Sequence, residues 1–316
     1  MRVLMFPGQS SADPQMLIRA TRLHPVADRL IARARDVLGD RVRRYLVPQG
    51  TPLETNRDVQ VAVFLATQIH LAALAAEGLE CDVSVGLSLG EYSHVVHIEA
   101  LDFESALHLV DARGSAYDSS PRGMMAAVLA VDGATVEAVV AEATARGVVV
   151  ISNYNTPTQH VIAGETAAVT WACEQLTEEH LAQTVVIEKH VPMHTPLLSD
   201  VAGRFASELA RATWHAPIRP YLPNVLGSWA PNAGAPDFIA CLTDHVTRAV
   251  RWRESLELLF ATHPGATFVE AGPGQVLGNM FGRRWIRPAC VRTDPVGDHD
   301  PADWFRAAVN TLRTSS

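Results

Sequence analysis

The sequence predicts an α/β fold in two parts, and three observations carry that expectation. The stretch Val83-Ser84-Val85-Gly86-Leu87-Ser88-Leu89-Gly90-Glu91-Tyr92 runs from a short apolar strand (Cys81 to Val85) through Gly-x-Ser-x-Gly into residues that suit a helix, the order of a nucleophile elbow. Residues from Met124 to Glu188 read as β-α-β-β-α-β, the split βαβ or ferredoxin-like pattern. Apolar residues make up 48% of the 316 and charged ones 19%, enough to build a large core. The expected organisation is a large domain over 1–123 and 195–316 with a small ferredoxin-like domain, 124–194, inserted into it.

The elements follow in order. Val3 to Phe6 is a first buried strand, ended by Pro7-Gly8, with Gln9-Ser10-Ser11 in a turn. Val26, Leu30, Ile31, Ala34, Val37 and Leu38 mark one amphipathic helix. Thr51-Pro52-Leu53-Glu54 has the spacing of a capping box, and Val59 to Ala76 is a helix apolar enough to be buried on most sides. Gln60 and His70 lie on it, where a lone polar residue is more often a satisfied core group than a catalytic one. After the elbow, Glu91 to His97 continues as helix. Phe103 to Arg113 gives another, with Arg113 in its last turn. There a cation favours the helix dipole; the sharper reading points it into the Ser88 pocket.

In the insert, strands are expected at Met124–Ala130, Val148–Tyr154, His160–Ala163 and Thr184–Glu188, and helices at 134–146 and 166–178. Val191-Pro192-Met193-His194-Thr195-Pro196 ends it, and two prolines restrict the backbone around His194. With 13 histidines in the chain, only this position at the junction singles His194 out. Helices at 197–212, 238–250 and 252–262 and a strand at 267–270 complete the pattern, around a loop-rich stretch from 213 to 235 with four prolines. Ala271-Gly272-Pro273-Gly274 looks like a phosphate loop but lacks the Lys-Ser/Thr that would follow one.

Composition excludes several classes. A formal net charge of −8 argues against a general binder of nucleic acid or anionic membranes. The four cysteines, Cys81, Cys173, Cys241 and Cys290, lie far apart with no Cys-x-x-Cys, so neither a metal site nor a disulfide framework is signalled and buried thiols are expected. The N-terminal apolar run is too short for a signal peptide, and no run is read as approaching membrane-spanning length. The expectation is a cytoplasmic protein.

Alone, Gly-x-Ser-x-Gly is a weak pattern that in a glycine-rich loop means only a turn. In company it is specific. Phe6-Pro7-Gly8-Gln9, Gln60, Gly86-Leu87-Ser88-Leu89-Gly90-Glu91-Tyr92-Ser93, Arg113-Gly114, Asn153-Tyr154-Asn155-Thr156-Pro157, Val191-Pro192-Met193-His194 and Glu270-Ala271-Gly272-Pro273-Gly274 together resemble the malonyl-CoA:acyl-carrier-protein transacylase family, the acyltransferases of fatty acid and polyketide synthesis. The matches run in order over nearly the whole chain. The resemblance implies an α/β-hydrolase-like large domain with the inserted ferredoxin-like small domain, and an active site between them.

Carried over residue by residue, the resemblance implies that Ser88 attacks an acyl-CoA thioester while His194 takes its proton, and that the backbone N–H groups of Gln9 and Leu89 hold the oxyanion. The backbone carbonyl orienting the histidine maps to His245. Arg113 pairs with the carboxylate of a malonyl-type group, with Gln60, Leu87 and Met193 also at the substrate. The acyl group then passes to the phosphopantetheine of an acyl carrier protein. No cofactor beyond the coenzyme A thioester and no metal is implied. With neither a ketosynthase nor a carrier segment recognised, the enzyme is expected to act in trans, in polyketide or fatty acid synthesis. Carrier proteins of this kind are acidic, so Arg248, Arg251 and Arg253, or Arg283, Arg284 and Arg287, are candidate docking patches; scattered solvated arginines are the plain alternative.

Three departures bear on the acyl group. Leu87 replaces the family's His beside the nucleophile, Ser10 and Ala12 replace Gly and Gln after Gln9, and Met193 precedes His194. They leave open a transferase of an unusual acyl group between two carrier proteins. An acyl-thioester hydrolase would share Ser88 and His194 but have no need for Arg113. A catalytically silent carrier-binding module would have no need for Ser88, His194 and Gln9.

Overall fold

The computed structural model describes residues 1–47, 53–282, 285–295 and 297–314. Its first sheet is built from near-continuous apolar runs. β1 (Arg2–Phe6), β2 (Val83–Gly86), β7 (Thr267–Glu270) and β8 (Cys290–Arg292) lie in the order β2-β1-β7-β8, all parallel. Val3 pairs with Val83 on one side and Phe268 on the other. Such runs suit a parallel sheet because helices cover both of its faces.

Around it lie α1 (Met16–Thr21), α2 (Val26–Leu38), α3 (Asn56–Ala76), α4 (Gly90–His97), α5 (Phe103–Asp118), α8 (Ser199–Arg211), α9 (Ala235–Thr247), α10 (Trp252–Thr262), α11 (Val276–Met280) and α12 (Pro301–Thr314). α3 is the central one, with fourteen buried residues from Asp58 to Leu74. By length and a mean hydropathy of 1.7 it could cross a membrane, contrary to the expectation that no run approached that length; 72% of that window is buried inside the protein, as a core helix requires. Its start also differs from the expected capping box at Thr51–Glu54, of which Thr51 and Pro52 lie outside the described residues. Thr55 is the N-cap, its hydroxyl accepting the N–H of Asp58 at 3.0 Å and donating to the Asp58 carboxylate at 2.9 Å.

The second sheet is antiparallel, in the order β4-β5-β3-β6, from β3 (Met124–Leu129), β4 (Val149–Thr156), β5 (Gln159–Gly164) and β6 (Gln183–Glu188). α6 (Gly133–Ala143) and α7 (Thr166–His180) cover one face, burying Ala126, Val128 and Ile162. Period-two alternation turns the neighbours Met125, Ala127 and Val161 to the other face, which forms one wall of a cleft. The sheet is stitched to the rest of the chain at Val250, whose N–H donates to the Ser152 carbonyl and whose carbonyl accepts from the Tyr154 N–H, both at 2.9 Å.

Two boundaries differ in ways that matter for the site. Gln9–Ser11 is a tight 3-10 turn. α5 runs on to Asp118, so Arg113 lies inside the helix and not in its last turn.

Candidate active site

The loop between β2 and α4 is held by close backbone approach. A Cβ on Gly86 would meet the Gly90 carbonyl at 2.1 Å, and one on Gly90 would meet the Phe6 carbonyl oxygen at 2.1 Å. Only glycine fits at either place. Between them Ser88 sits at φ +50°, a left-handed conformation that a non-glycine residue holds only where its surroundings enforce it. The enforcing group is Asn224, in the proline-rich loop before α9. Its Oδ1 accepts the Ser88 N–H at 2.8 Å and its Nδ2 donates to the Gly86 carbonyl at 2.6 Å.

The Ser88 hydroxyl is 2.8 Å from Nε2 of His194. Nδ1 of His194 is 2.6 Å from the backbone carbonyl of His245, on the last turn of α9. A carbonyl cannot donate, so Nδ1 carries the ring proton and Nε2 is left to accept from Ser88. His194 is itself at φ +61° and 2% exposed. Burial, reinforced by the positive field of Arg113 and opposed by the His245 carbonyl, pushes its imidazole down from 6.5 to about 3. The ring is neutral, with a lone pair aimed at a hydroxyl, which is what a general base requires. Opposite, the backbone N–H groups of Gln9 and Leu89 have no hydrogen-bond partner among the described residues, so both are available to an anion.

A cavity of about 270 Å³ opens over this pair. Ser88 and His194 lie in it with Gln9, Leu87 and Met193, and Met125 and Val161 of the second sheet face them. Arg113 is not among the residues lining this cavity; it is buried at 1% exposure, near enough for its charge to act on His194. Its Nη1 donates to Oε1 of Gln60 at 2.7 Å, and its guanidinium lies 4.6 Å and 5.6 Å from the ring centres of Tyr117 and Tyr92. No carboxylate pairs with it among the described residues, and Nη2 is without a partner. A buried cation left in this state is strongly disfavoured unless an anion completes it.

The acyl transferase domain model matches residues 4–283. The chain belongs to the acyl transferase family. It is 31% identical over 285 residues to the malonyl CoA-acyl carrier protein transacylase of Escherichia coli K12, covering 88% of this chain and 91% of the relative. The fold matches the crystal structure of the transacylase from Streptococcus pneumoniae with a TM-score of 0.88 at 30% identity, over 98% of this chain and 100% of that one. It also matches a malonyl-transacylase solved in complex with its type II polyketide synthase acyl-carrier protein, with a TM-score of 0.87 at 26% identity, over 98% and 99% of the two chains.

In this acyl transferase the remaining sequence candidates fall as follows. Gln9 donates from Nε2 to Asn56 at 3.2 Å, leaving its Oε1 unpartnered. His70 is a core group, its Nδ1 2.7 Å from the Thr293 hydroxyl. Glu270 caps α11, accepting the N–H groups of Leu277 and Gly278 at 2.9 and 2.8 Å, so the glycine turn after it serves packing. Of the candidate docking arginines, Arg248 pairs with Asp244 at 2.7 Å, while Arg251 and Arg253 share Glu254 at 3.3 and 3.4 Å, which reduces the local positive charge. Arg287 is exposed; Arg283 and Arg284 lie outside the described residues. All four cysteines are free thiols, Cys81 buried and the others half-buried. The sequence reading missed Asn224 and gave Glu91 no task of its own. Asn224 had no local signal, being a lone polar residue between Pro223 and Val225 in an irregular loop.

Proposed function

We propose that this acyl transferase moves a malonyl-type acyl group from coenzyme A through a Ser88 ester to the phosphopantetheine thiol of an acyl carrier protein. The observation that carries the reading is the buried, half-satisfied Arg113 guanidinium close behind the Ser88–His194 pair. Ser88 Oγ attacks the thioester carbonyl as its proton passes to Nε2 of His194. The carbonyl oxygen becomes an oxyanion held by the Gln9 and Leu89 N–H groups. Collapse breaks the C–S bond, and the coenzyme A sulfur leaves with the proton from His194. The carrier's thiol then gives its proton to His194 and attacks the ester carbonyl; the bond from that carbon to Ser88 Oγ breaks, and Oγ takes the proton back from Nε2 of His194. Arg113 holds the distal carboxylate through its open Nη2 edge, with Gln60 fixing the other edge.

Hydrolysis of the ester is held back by burial of His194 and the apolar wall of Leu87, Met125, Val161 and Met193. We read 124–194 as the small domain inserted between 1–123 and 195–316, with the site at their junction, and place the reaction in the cytoplasm. A carrier like the one in the complexed relative would dock by exchanging its acidic groups for Asp244 and Glu254 at Arg248, Arg251 and Arg253, or would meet the exposed Arg287.

The test is intact-protein mass spectrometry after mixing with malonyl-, methylmalonyl- or acetyl-CoA. A malonyl adduct that is absent in Ser88→Ala, and that chases onto a phosphopantetheinylated carrier protein, supports the transferase. No adduct from any of the three esters overturns it.

A further inference from the structure

Behind the Ser88–His194 pair lies a buried cluster that the reaction above does not use. Glu91 of α4 is completely buried. Its Oε1 accepts the Tyr221 hydroxyl at 2.7 Å. Its Oε2 accepts the Asn224 N–H at 3.4 Å and lies 3.1 Å from Nδ1 of His245, off the axis of a good hydrogen bond. Each of those two neighbours holds one half of the reacting pair. The Asn224 side chain clamps the elbow at Ser88 and Gly86. His245 offers its carbonyl to His194, and its ring stacks on the His194 ring with centroids 4.7 Å apart and planes 22° from parallel.

We propose that Glu91 is a positioning residue that sets the distance and angle between Ser88 and His194, acting on the nucleophile through Asn224 and on the base through His245. The proposal rests on the acyl-transfer reading above.

The physical argument starts at the end of α9. His245 is two residues from its last residue, Thr247, so its carbonyl is among those a helix leaves without an internal partner. That carbonyl also carries the negative end of the helix dipole, suited to an imidazole that becomes cationic during the reaction. Where it points depends on how the end of α9 is fixed. The contact on the inner side is the Glu91 carboxyl, which also steadies the main chain of Asn224. One rigid group therefore references both reacting atoms to the same point, and errors in their separation do not accumulate over two independent loops. The charged and titratable groups facing the cluster are Arg113 from α5, Tyr92 from α4, Tyr221 from the loop before α9, and Cys241 from α9 itself. A carboxyl buried among them is held near neutrality and acts through contacts more than through net charge.

The test is single-turnover acylation by malonyl-CoA in the full chain, comparing Glu91→Ala, Glu91→Gln, Asn224→Ala and His245→Ala with the wild type. The rate constant reports positioning, whereas the amplitude reports the fraction of folded protein. Glu91→Ala is expected to lower the rate constant about 10²-fold, the scale of a misplacement near 1 Å, with half-saturation within about twofold because none of the three residues lines the cavity. Glu91→Gln, which keeps a hydrogen-bonding group of the same shape, should restore it to within about tenfold of wild type. His245→Ala keeps the carbonyl but loses the ring, and should itself fall about tenfold. In the double variant Glu91→Ala/His245→Ala the losses should not multiply. If Glu91→Ala does not fold, Glu91→Gln and His245→Ala still decide the matter. Rate constants within twofold of wild type for folded Glu91→Ala or for His245→Ala, a loss confined to amplitude, or multiplying losses each overturn the proposal while leaving acyl transfer standing. A wild type that forms no adduct overturns both.

Discussion

Gln60 holds one edge of the Arg113 guanidinium, Nη1 to Oε1 at 2.7 Å, and leaves Nη2 without a partner in a fully buried site. The geometry is that of a two-pronged receptor with one prong engaged. A planar guanidinium so fixed presents its free edge in one direction only, which is how it can select a carboxylate by shape as well as by charge.

Arg113→Ala should therefore separate carboxylated from plain acyl groups. Hydrogen bonds to a charged group contribute about 1.5–3 kcal/mol, so acylation of Ser88 by malonyl-CoA should fall roughly tenfold to a hundredfold or more. Acetyl-CoA, with nothing to offer the guanidinium, should react at an unchanged or higher rate. Equal losses for both esters, read as initial rates of adduct formation, would show that Arg113 serves folding and not selection.

Gly114 tests the same clamp from the packing side. A Cβ there would stand 2.5 Å from the Arg57 Cα, so Gly114→Ala must push α5 off α3 and pull Arg113 away from Gln60. Overpacking of this kind costs about 1–3 kcal/mol. The expected result is a lower melting temperature together with reduced preference for malonyl- over acetyl-CoA. Retained preference in a destabilised variant would mean that the Gln60–Arg113 contact does not set the choice of acyl group.

The elbow was legible because its parts are contiguous: a strand, two glycines that nothing larger can replace, and a helix start within ten residues. The four antiparallel strands β3 to β6 were legible for a similar reason, since their alternation survives in sequence. The sequence expectation ends the helix at Arg113, and Gly114, a poor helix former, follows it. Packing against Arg57 overrides that propensity, so α5 continues to Asp118. Asn224 was not legible because its meaning lies in partners 136 and 138 residues away, and β8 and α11 have only three and five residues, too few for periodicity to register.

The pH dependence of acylation should carry the signature of a base that is already neutral. With His194 held at about 3, the single-turnover rate constant should stay flat between about pH 5.5 and 7.5, where a histidine near 6.5 would give a tenfold fall per unit on its acid side. An inflection near 6.5 in the rate constant, with full amplitude, would mean that the free enzyme opens His194 to water.

Folding stability should instead show a maximum. Burial holds His70 and His97 at about 4 and His94 and His194 at about 3, against 6.5 in an exposed chain; it lowers His160 and His245 in the same direction. The unfolded chain takes up these protons first, so stability falls as pH drops from about 6.5 toward 4. Burial works the other way on two carboxyls, raising Glu91 to about 8 and Glu270 to about 7 from 4.5. The folded chain keeps those protons while the unfolded chain releases them, so their contribution falls as pH rises from 4.5 through those values. Between 4.5 and 6.5 the histidines outnumber the two carboxyls, and above 6.5 the carboxyls act alone. Each unmatched proton changes stability by about 1.4 kcal/mol per pH unit. Thermal melts from pH 5 to 8.5 should therefore peak close to 6.5, and Glu270→Gln should both flatten the limb just above the peak and steepen the acid limb, where the Glu270 proton opposes the histidines. A melting temperature that climbs steadily through pH 8 would mean that Glu91 and Glu270 are ionised in the folded protein, with Glu91 then forming a true ion pair with His245.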